Sequence, residues 1–275
     1  MQARCFVATL LAMTTSATPG ALSFLPIAGI PEVQPGDDLA ALLDHALARH
    51  PNPRLQDGDV LVVAQKIVSK SEDRYVELDG ITPGAEAIAL AERCGKDARL
   101  VELVLRESSE VVRVAPGVLI VRHRLGFVVA NAAIDQSNLP HGERERALLL
   151  PADPDASARA LREALQRRHG ITLAVLVSDS FGRAWRMGVC GSCIGCSGLH
   201  ALVDLRGAPD RSGRVLQVTQ LAVADQLCAS ATLVGGEAAE GRPAIVIRGV
   251  AREYLGDDER GAARLIRPLA QDLFR

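Results

Sequence analysis

The run ITLAVLVSDS at residues 171–180 constrains the fold more than any other stretch of the chain. It is bounded by Gly170 on one side and polar residues on the other. It is too short for a core helix, and a continuous apolar run of this length reads as a strand buried within a sheet. Val175 and Val177 are then buried, and Asp179 and Ser180 emerge at the strand's end. DGDVLVVAQKIVSK (57–70) repeats the pattern: a turn, an apolar run over 60–63, then Lys66 and Lys70 at the strand end. A third strand is expected over 244–247. FVVANAAIDQSN (127–138) closes a hairpin, built from 118–122 and 127–131, on a third polar cluster with Asp135 and Asn138.

Helices are expected near 85–93 and 98–108, and over 220–234 and 259–274. Two more follow Asp37 or Asp38 as N-cap and span the segment DPDASARALREALQRRHG, which ends at Gly170. Strands and helices alternate without a strict βαβ rhythm, so the fold class is α+β, with mixed, largely antiparallel sheets. The chain of 275 residues is 48% hydrophobic, enough for a substantial core. Its net charge of −2 and 3% aromatic content give neither the basic field nor the stacking platform of a nucleic-acid binder. No apolar run reaches the roughly 18 residues of a membrane helix. Residues 1–24 have the thin outline of a secretory signal; a disordered extension or a start placed too far upstream are the other readings. Three clustered thiols suit a reducing compartment, and the expected location is cytoplasmic.

A carboxylate leaving a buried strand is costly unless it is paired or bound to a cation. Asp179 and the Ser180 hydroxyl suit Mg²⁺ or Mn²⁺, which take hard oxygen ligands; a turn-capping Asp is the alternative. Asp135 carries the same pair of readings. In LVGGEAAEGRPAIVIRG (233–249), Gly235 and Gly236 let a backbone approach a phosphate, and Glu237 could hold a metal that bridges it. An ordinary solvated loop is the alternative there. Lys66 and Lys70 could bind phosphate oxygens as point charges, or could guard a strand edge. The P-loop, dinucleotide-binding, zinc-protease and serine-hydrolase motifs are all absent. Together these groups describe phosphoryl transfer from a nucleotide, without giving the acceptor.

The segments GIPEVQPGDDL, GDVLVVAQKIVSK, NAAIDQSN, LLLPADPDASA, SDSFGRAWRMG, DLRGAPDRSG, VTQLAVADQL and GGEAAEGRPAIVIRG resemble, in this order, those of the coenzyme F420-0:L-glutamate ligases. The resemblance covers residue 25 to beyond Gly249 and implies a catalytic domain over 25–275 in the single-domain form. It also implies an intertwined homodimer. The implied activity is GTP-dependent addition of L-glutamate to the deazaflavin precursor F420-0 through an acyl phosphate, with further γ-linked additions in some members. It implies two divalent cations, Mg²⁺ or Mn²⁺, on Asp135, Asp179, Ser180 and Glu237, with K⁺ as a further candidate ion. Ser180 stands where threonine is usual. It implies GTP contacts at Ile30, Pro31, Glu32, Val33, Gln65, Lys66, Lys70 and Asn138, and along Gly235, Gly236, Glu237, Ala238, Ala239, Glu240, Gly241 and Arg242. Asp135, Asp179 and Lys66 are the expected catalytic groups. Arg183 and Arg186, close behind Asp179, are candidates for the precursor's phosphodiester or carboxylate.

Two other readings stand beside it. One is a metal-dependent nucleotide phosphatase with water as acceptor. The other is a metal or cluster protein built on Cys190, Cys193 and Cys196, whose C-x-x-C-x-x-C spacing is otherwise explained by small residues packing tightly.

Overall fold

The computed structural model describes residues 21–49, 53–136 and 145–272. In chain order the elements begin with β1 (Ser23–Pro26), α1 (Leu39–Arg49), β2 (Asp59–Ala64), α2 (Gln65–Ser71) and β3 (Tyr75–Glu77). Helices α3 (Ala85–Cys94) and α4 (Ala98–Arg106) lead into β4 (Ser108–Ala115), β5 (Val118–His123) and β6 (Val128–Ala130). Then come β7 (Arg146–Leu148), α5 (Pro154–His169), β8 (Leu173–Arg183), β9 (Arg186–Ser197), β10 (Val203–Asp204) and β11 (Gln220–Leu221). Helix α6 (Val223–Gly235) and β12 (Ala244–Arg248) complete the set.

The core is a five-stranded sheet of order β1-β12-β2-β8-β9. Only β2 and β8 run parallel; the other neighbours are antiparallel. The two apolar runs that announced this sheet are its adjacent strands. Side chains alternate between faces along a strand. Leu61, Val63, Val175 and Val177 join a cluster with α1 and α5. Val60, Val62, Ala174 and Leu176 join a second cluster with α6 on the other face. Helices cover both faces, so neither set of positions can be polar. Each Val or Leu buried this way contributes about 1.5–3 kcal/mol.

Local signals place the helices. Asp38 Oδ1 accepts from the Ala41 N–H at 3.0 Å and caps α1. The Asp153 side chain accepts from the Ala156 N–H at 3.0 Å, and α5 ends on Gly170 at φ 66°. A smaller layer, α3 and α4 packed on the meander β4-β5-β6, has its own core around Leu90, Val101, Val104, Leu119 and Val121.

Three expectations need correction. Over its described part, 259–272, the segment expected as a helix at 259–274 forms two short 3₁₀ segments, Gly261–Leu265 and Leu269–Gln271. Pro268 interrupts the run, and the Ala262 N–H donates to Asp155 Oδ1 at 2.9 Å, tying the segment to α5 instead. The helix expected from residue 220 begins at Val223, because Gln220 and Leu221 pair with β10. Lys66 and Lys70 are not at a strand edge but on α2, a helix that the apolar run of β2 concealed.

The cysteine-rich stretch is β9, a strand pressed between two helices. A Cβ at Gly195 would lie 2.2 Å from the Pro154 carbonyl oxygen of α5, and one at Gly191 would lie 2.6 Å from the Cys228 carbonyl oxygen of α6. The Cys193 N–H donates to Asp225 of α6 at 2.8 Å, and the Cys196 N–H to Asp155 of α5 at 2.7 Å. Cys193, Cys196 and Cys228 are packed in the apolar cluster under α6. The Cys196 and Cys228 thiols beside Cys193, together with its burial, push its thiol well above the ordinary range. Among the described residues no three Cys, His, Asp or Glu side chains are grouped to hold a metal ion. The spacing is explained by close approach of backbones.

Candidate active site

The register of the large sheet brings its functional ends together. Ala64 of β2 is level with Ser178 of β8, so Gln65 and Lys66 leave the sheet beside Asp179 and Ser180. Ala244 opens β12 opposite Val63, which puts the loop 236–243 at the same edge. Pro26 ends β1 opposite Ile245, so residues 30–33 follow there too. Carboxyl ends of neighbouring parallel strands are where open sheets place ligands.

At this edge lies a cavity of about 780 Å³. Its walls include Ile30, Pro31, Glu32, Val33, Gln65, Lys66, Lys70, Asp135, Asp179 and Ser180, and the whole run Gly235, Gly236, Glu237, Ala238, Ala239, Glu240, Gly241 and Arg242. The sequence-derived candidates therefore converge, with three exceptions. Asn138 lies outside the described residues. Arg183 and Arg186 do not line the cavity; they are exposed on the arm formed by the outer ends of β8 and β9, where Arg183 Nη2 donates to the Met187 carbonyl at 3.1 Å.

The electrostatics are those of a site short of positive charge. Lys66 Nζ is 2.6 Å from Asp135 Oδ2. Burial pushes the Asp179 carboxyl up to about 6, with the charges of Asp135 and Glu237 adding to the rise. The Ser180 N–H, donating to Asp179 Oδ1 at 2.8 Å, and the Lys66 charge oppose it. The Ser180 hydroxyl donates to Glu237 at 2.6 Å. Lys70, with a side chain only 5% exposed, pairs with the outlying carboxylate of Glu32.

Three carboxylates and a hydroxyl are the donor set of a hard cation. Among the described residues no three Cys, His, Asp or Glu side chains form a metal cage of their own. Mg²⁺ bound with a nucleotide needs only one or two carboxylates, because phosphate and water complete its shell. Asp135, Asp179, Glu237 and the Ser180 hydroxyl could hold that kind of ion.

Asp135 reaches the cavity from the smaller layer by an unusual route. Asn131, Ala132 and Ala133 all have positive φ, at 51°, 54° and 55°. Left-handed backbone costs about 1–2 kcal/mol for an ordinary L-residue, less for Asn. Beyond this turn, Asp135 and Leu148 exchange both backbone hydrogen bonds, at 3.0 and 2.8 Å. Alanine gives no sequence signal for positive φ, so the turn was not legible. Ser178 was also missed: its buried hydroxyl borders the cavity and has no hydrogen-bond partner among the described residues.

Known proteins similar to this chain give its family. The pattern of the family described as F420-0:Gamma-glutamyl ligase matches residues 28–249. The coenzyme F420:L-glutamate ligase of Methanothermobacter thermautotrophicus is 44% identical over 254 residues, 92% of this chain and 99% of the relative. Those of Methanopyrus kandleri and Methanocaldococcus jannaschii are 43% and 39% identical, over 93% and 85% of this chain and 100% and 90% of theirs. The chain belongs to the F420-0:gamma-glutamyl ligase family and is an amide-bond-forming ligase.

Proposed function

We propose that this chain uses GTP to join L-glutamate to the precursor F420-0. The observation that carries the reading is the convergence of Lys66, Lys70, Asp135, Asp179 and Glu237 on one cavity at the ends of β2 and β8. In the reaction, a carboxylate oxygen of the precursor attacks the γ-phosphorus of GTP, and GDP leaves with the bond electrons. The glutamate amine then attacks the acyl phosphate carbon. Phosphate departs, the amine loses a proton, and an amide remains.

The chain's own groups have separable tasks. Asp135, Asp179, Ser180 and Glu237 would hold two Mg²⁺ or Mn²⁺ ions. Bound there, these ions supply charge neutralisation of the phosphates and the departing GDP. Lys66 and Lys70 bind phosphate oxygens, exchanging one anionic partner for another, since each already faces a carboxylate. That exchange avoids exposing a bare buried ammonium. The loop 235–242 turns through Gly236 at φ 84° and Gly241 at φ 65°, conformations that favour glycine and bring backbone close to a ligand. Residues 30–33 form the wall facing Lys70.

We also propose a homodimer. Among the described residues, the arm at the outer ends of β8 and β9 leaves Trp185 and Met187 almost fully exposed and Val189 about half exposed. Light scattering should give twice the chain mass, and Trp185→Ala with Met187→Ser should shift it toward monomer. Arg183 and Arg186 ride on the same arm. Arg183→Lys should raise KM for the precursor; unchanged kinetics would remove that residue.

The phosphatase reading differs in one observable. A ligase that works through an acyl phosphate turns over GTP continuously only when precursor and glutamate are both present. GTP hydrolysis at the same rate without them would favour water as the acceptor.

A further inference from the structure

We infer that the left-handed turn at Asn131, Ala132 and Ala133 is a positioning device that sets Asp135 against Lys66 and the cavity; the inference rests on the metal-binding reading of Asp135. Three consecutive non-glycine residues with φ between 51° and 55° do not arise from local preference. They persist only where the surroundings hold them. Those surroundings are specific. Ala132 is fully buried in the core of α3, α4 and β5. Asn131 Oδ1 accepts the Leu119 N–H of β5 at 3.1 Å, anchoring the entry of the turn. The Ile134 N–H donates to the Asn131 carbonyl at 3.0 Å and closes it. The next residue is Asp135, fixed by its backbone pairing with Leu148 and by Lys66 at 2.6 Å.

The turn thus couples the smaller layer to the large sheet. Ala133, its last residue, is itself part of the cavity wall. An extended path over these three residues would carry the chain further and rotate Asp135 away from Lys66. Asn at the entry is the non-glycine residue that tolerates the left-handed region best, and its side chain doubles as the anchor.

Two substitutions separate conformation from side-chain loss. Asn131→Ala removes the anchor and the tolerance for positive φ. Asn131→Gly removes the same anchor but adopts positive φ without strain. Mn²⁺ binding, read by electron paramagnetic resonance in the presence of a non-hydrolysable GTP analogue, is the measurement, with Asp135→Asn as the reference. Thermal melting reports folding of each variant. Asp135→Asn and Asn131→Ala are expected to weaken Mn²⁺ binding about tenfold, and Asn131→Gly less than threefold. That order, glycine above alanine, is opposite to the one expected at an ordinary backbone position.

If Asp135→Asn weakens binding but both Asn131 variants bind as the parent does, the positioning role is overturned. It is overturned equally if the alanine variant binds as tightly as the glycine variant. If Asp135→Asn itself binds Mn²⁺ normally, the metal reading of Asp135 fails, and the positioning role with it. Should Asn131→Ala not fold, Asn131→Gly decides alone: a tenfold loss of Mn²⁺ affinity in a folded glycine variant would overturn the role of the conformation.

Discussion

Asp179→Asn should stabilise the cation-free protein while greatly weakening its response to metal and nucleotide. Burial, with Asp135 and Glu237 nearby, raises the Asp179 carboxyl from 3.8 to about 6. Holding it ionised above that range therefore costs up to about 3 kcal/mol relative to the unfolded chain. Asp179 is part-exposed at the cavity wall, so water there recovers a share of this. The sign follows from linkage. The folded protein binds the proton more tightly than the unfolded chain, so stability falls as pH rises from about 4 through about 6, then levels. Asparagine keeps an acceptor for the Ser180 N–H and carries no charge. Below pH 4 the variant and parent should therefore be equally stable. At pH 8 without cations the variant should melt higher by several degrees, since 1 kcal/mol moves the midpoint of a chain this long by about 2–4 °C. Mn²⁺ with a non-hydrolysable GTP analogue at about 100 times Kd should then stabilise the parent by about 2.7 kcal/mol, and the variant much less. Differential scanning calorimetry at both pH values, with and without ligand, reads all of this. A variant less stable than the parent at pH 8 without cations would refute the claim that the site lacks positive charge.

Other consequences test separate parts of the structure. Lys70→Met keeps the buried stem but not the charge, and should raise KM for GTP at least tenfold, about 1.4 kcal/mol, in steady-state assays. Gly195→Ala places a Cβ 2.2 Å from the Pro154 carbonyl, a backbone atom that cannot swing aside. It should cost about 3 kcal/mol or more, read as a lowered melting temperature. Asp59 is 1% exposed and takes two bonds from Arg248, at 2.9 and 2.8 Å, at the sheet edge opposite the cavity. Asp59→Ala should destabilise by about 1.5–3 kcal/mol in chemical denaturation while leaving KM for GTP unchanged in the folded fraction.

Much of the fold and the site was legible in the sequence, for reasons that can be named. The runs around 60–63 and 173–177 are apolar on both faces because helices cover both, so continuous hydrophobicity identified the central strands. Polar residues at their ends then marked the site, since a carboxylate such as Asp179 leaves a buried strand only at a cost. The helix α2 was hidden because its first residues continue directly from a strand, without an N-cap side chain to announce it. The C-terminal segment misled because its apolar spacing is helical, while its backbone bonds go to Asp155. The C-x-x-C-x-x-C stretch has the spacing of a metal site. Its meaning lies in Gly191 and Gly195, which allow α5 and α6 to close on β9. The turn at Asn131–Ala133 depends on burial of Ala132 in a distant layer, which no local pattern encodes.

The proposed reaction stands or falls on mass spectrometry of the products formed from F420-0, L-glutamate, GTP and Mn²⁺. The expected product is a precursor heavier by one glutamyl residue, or by several where additions continue, with one GDP and one phosphate released per amide. Unmodified precursor alongside GDP and phosphate produced at the same rate without glutamate would contradict it.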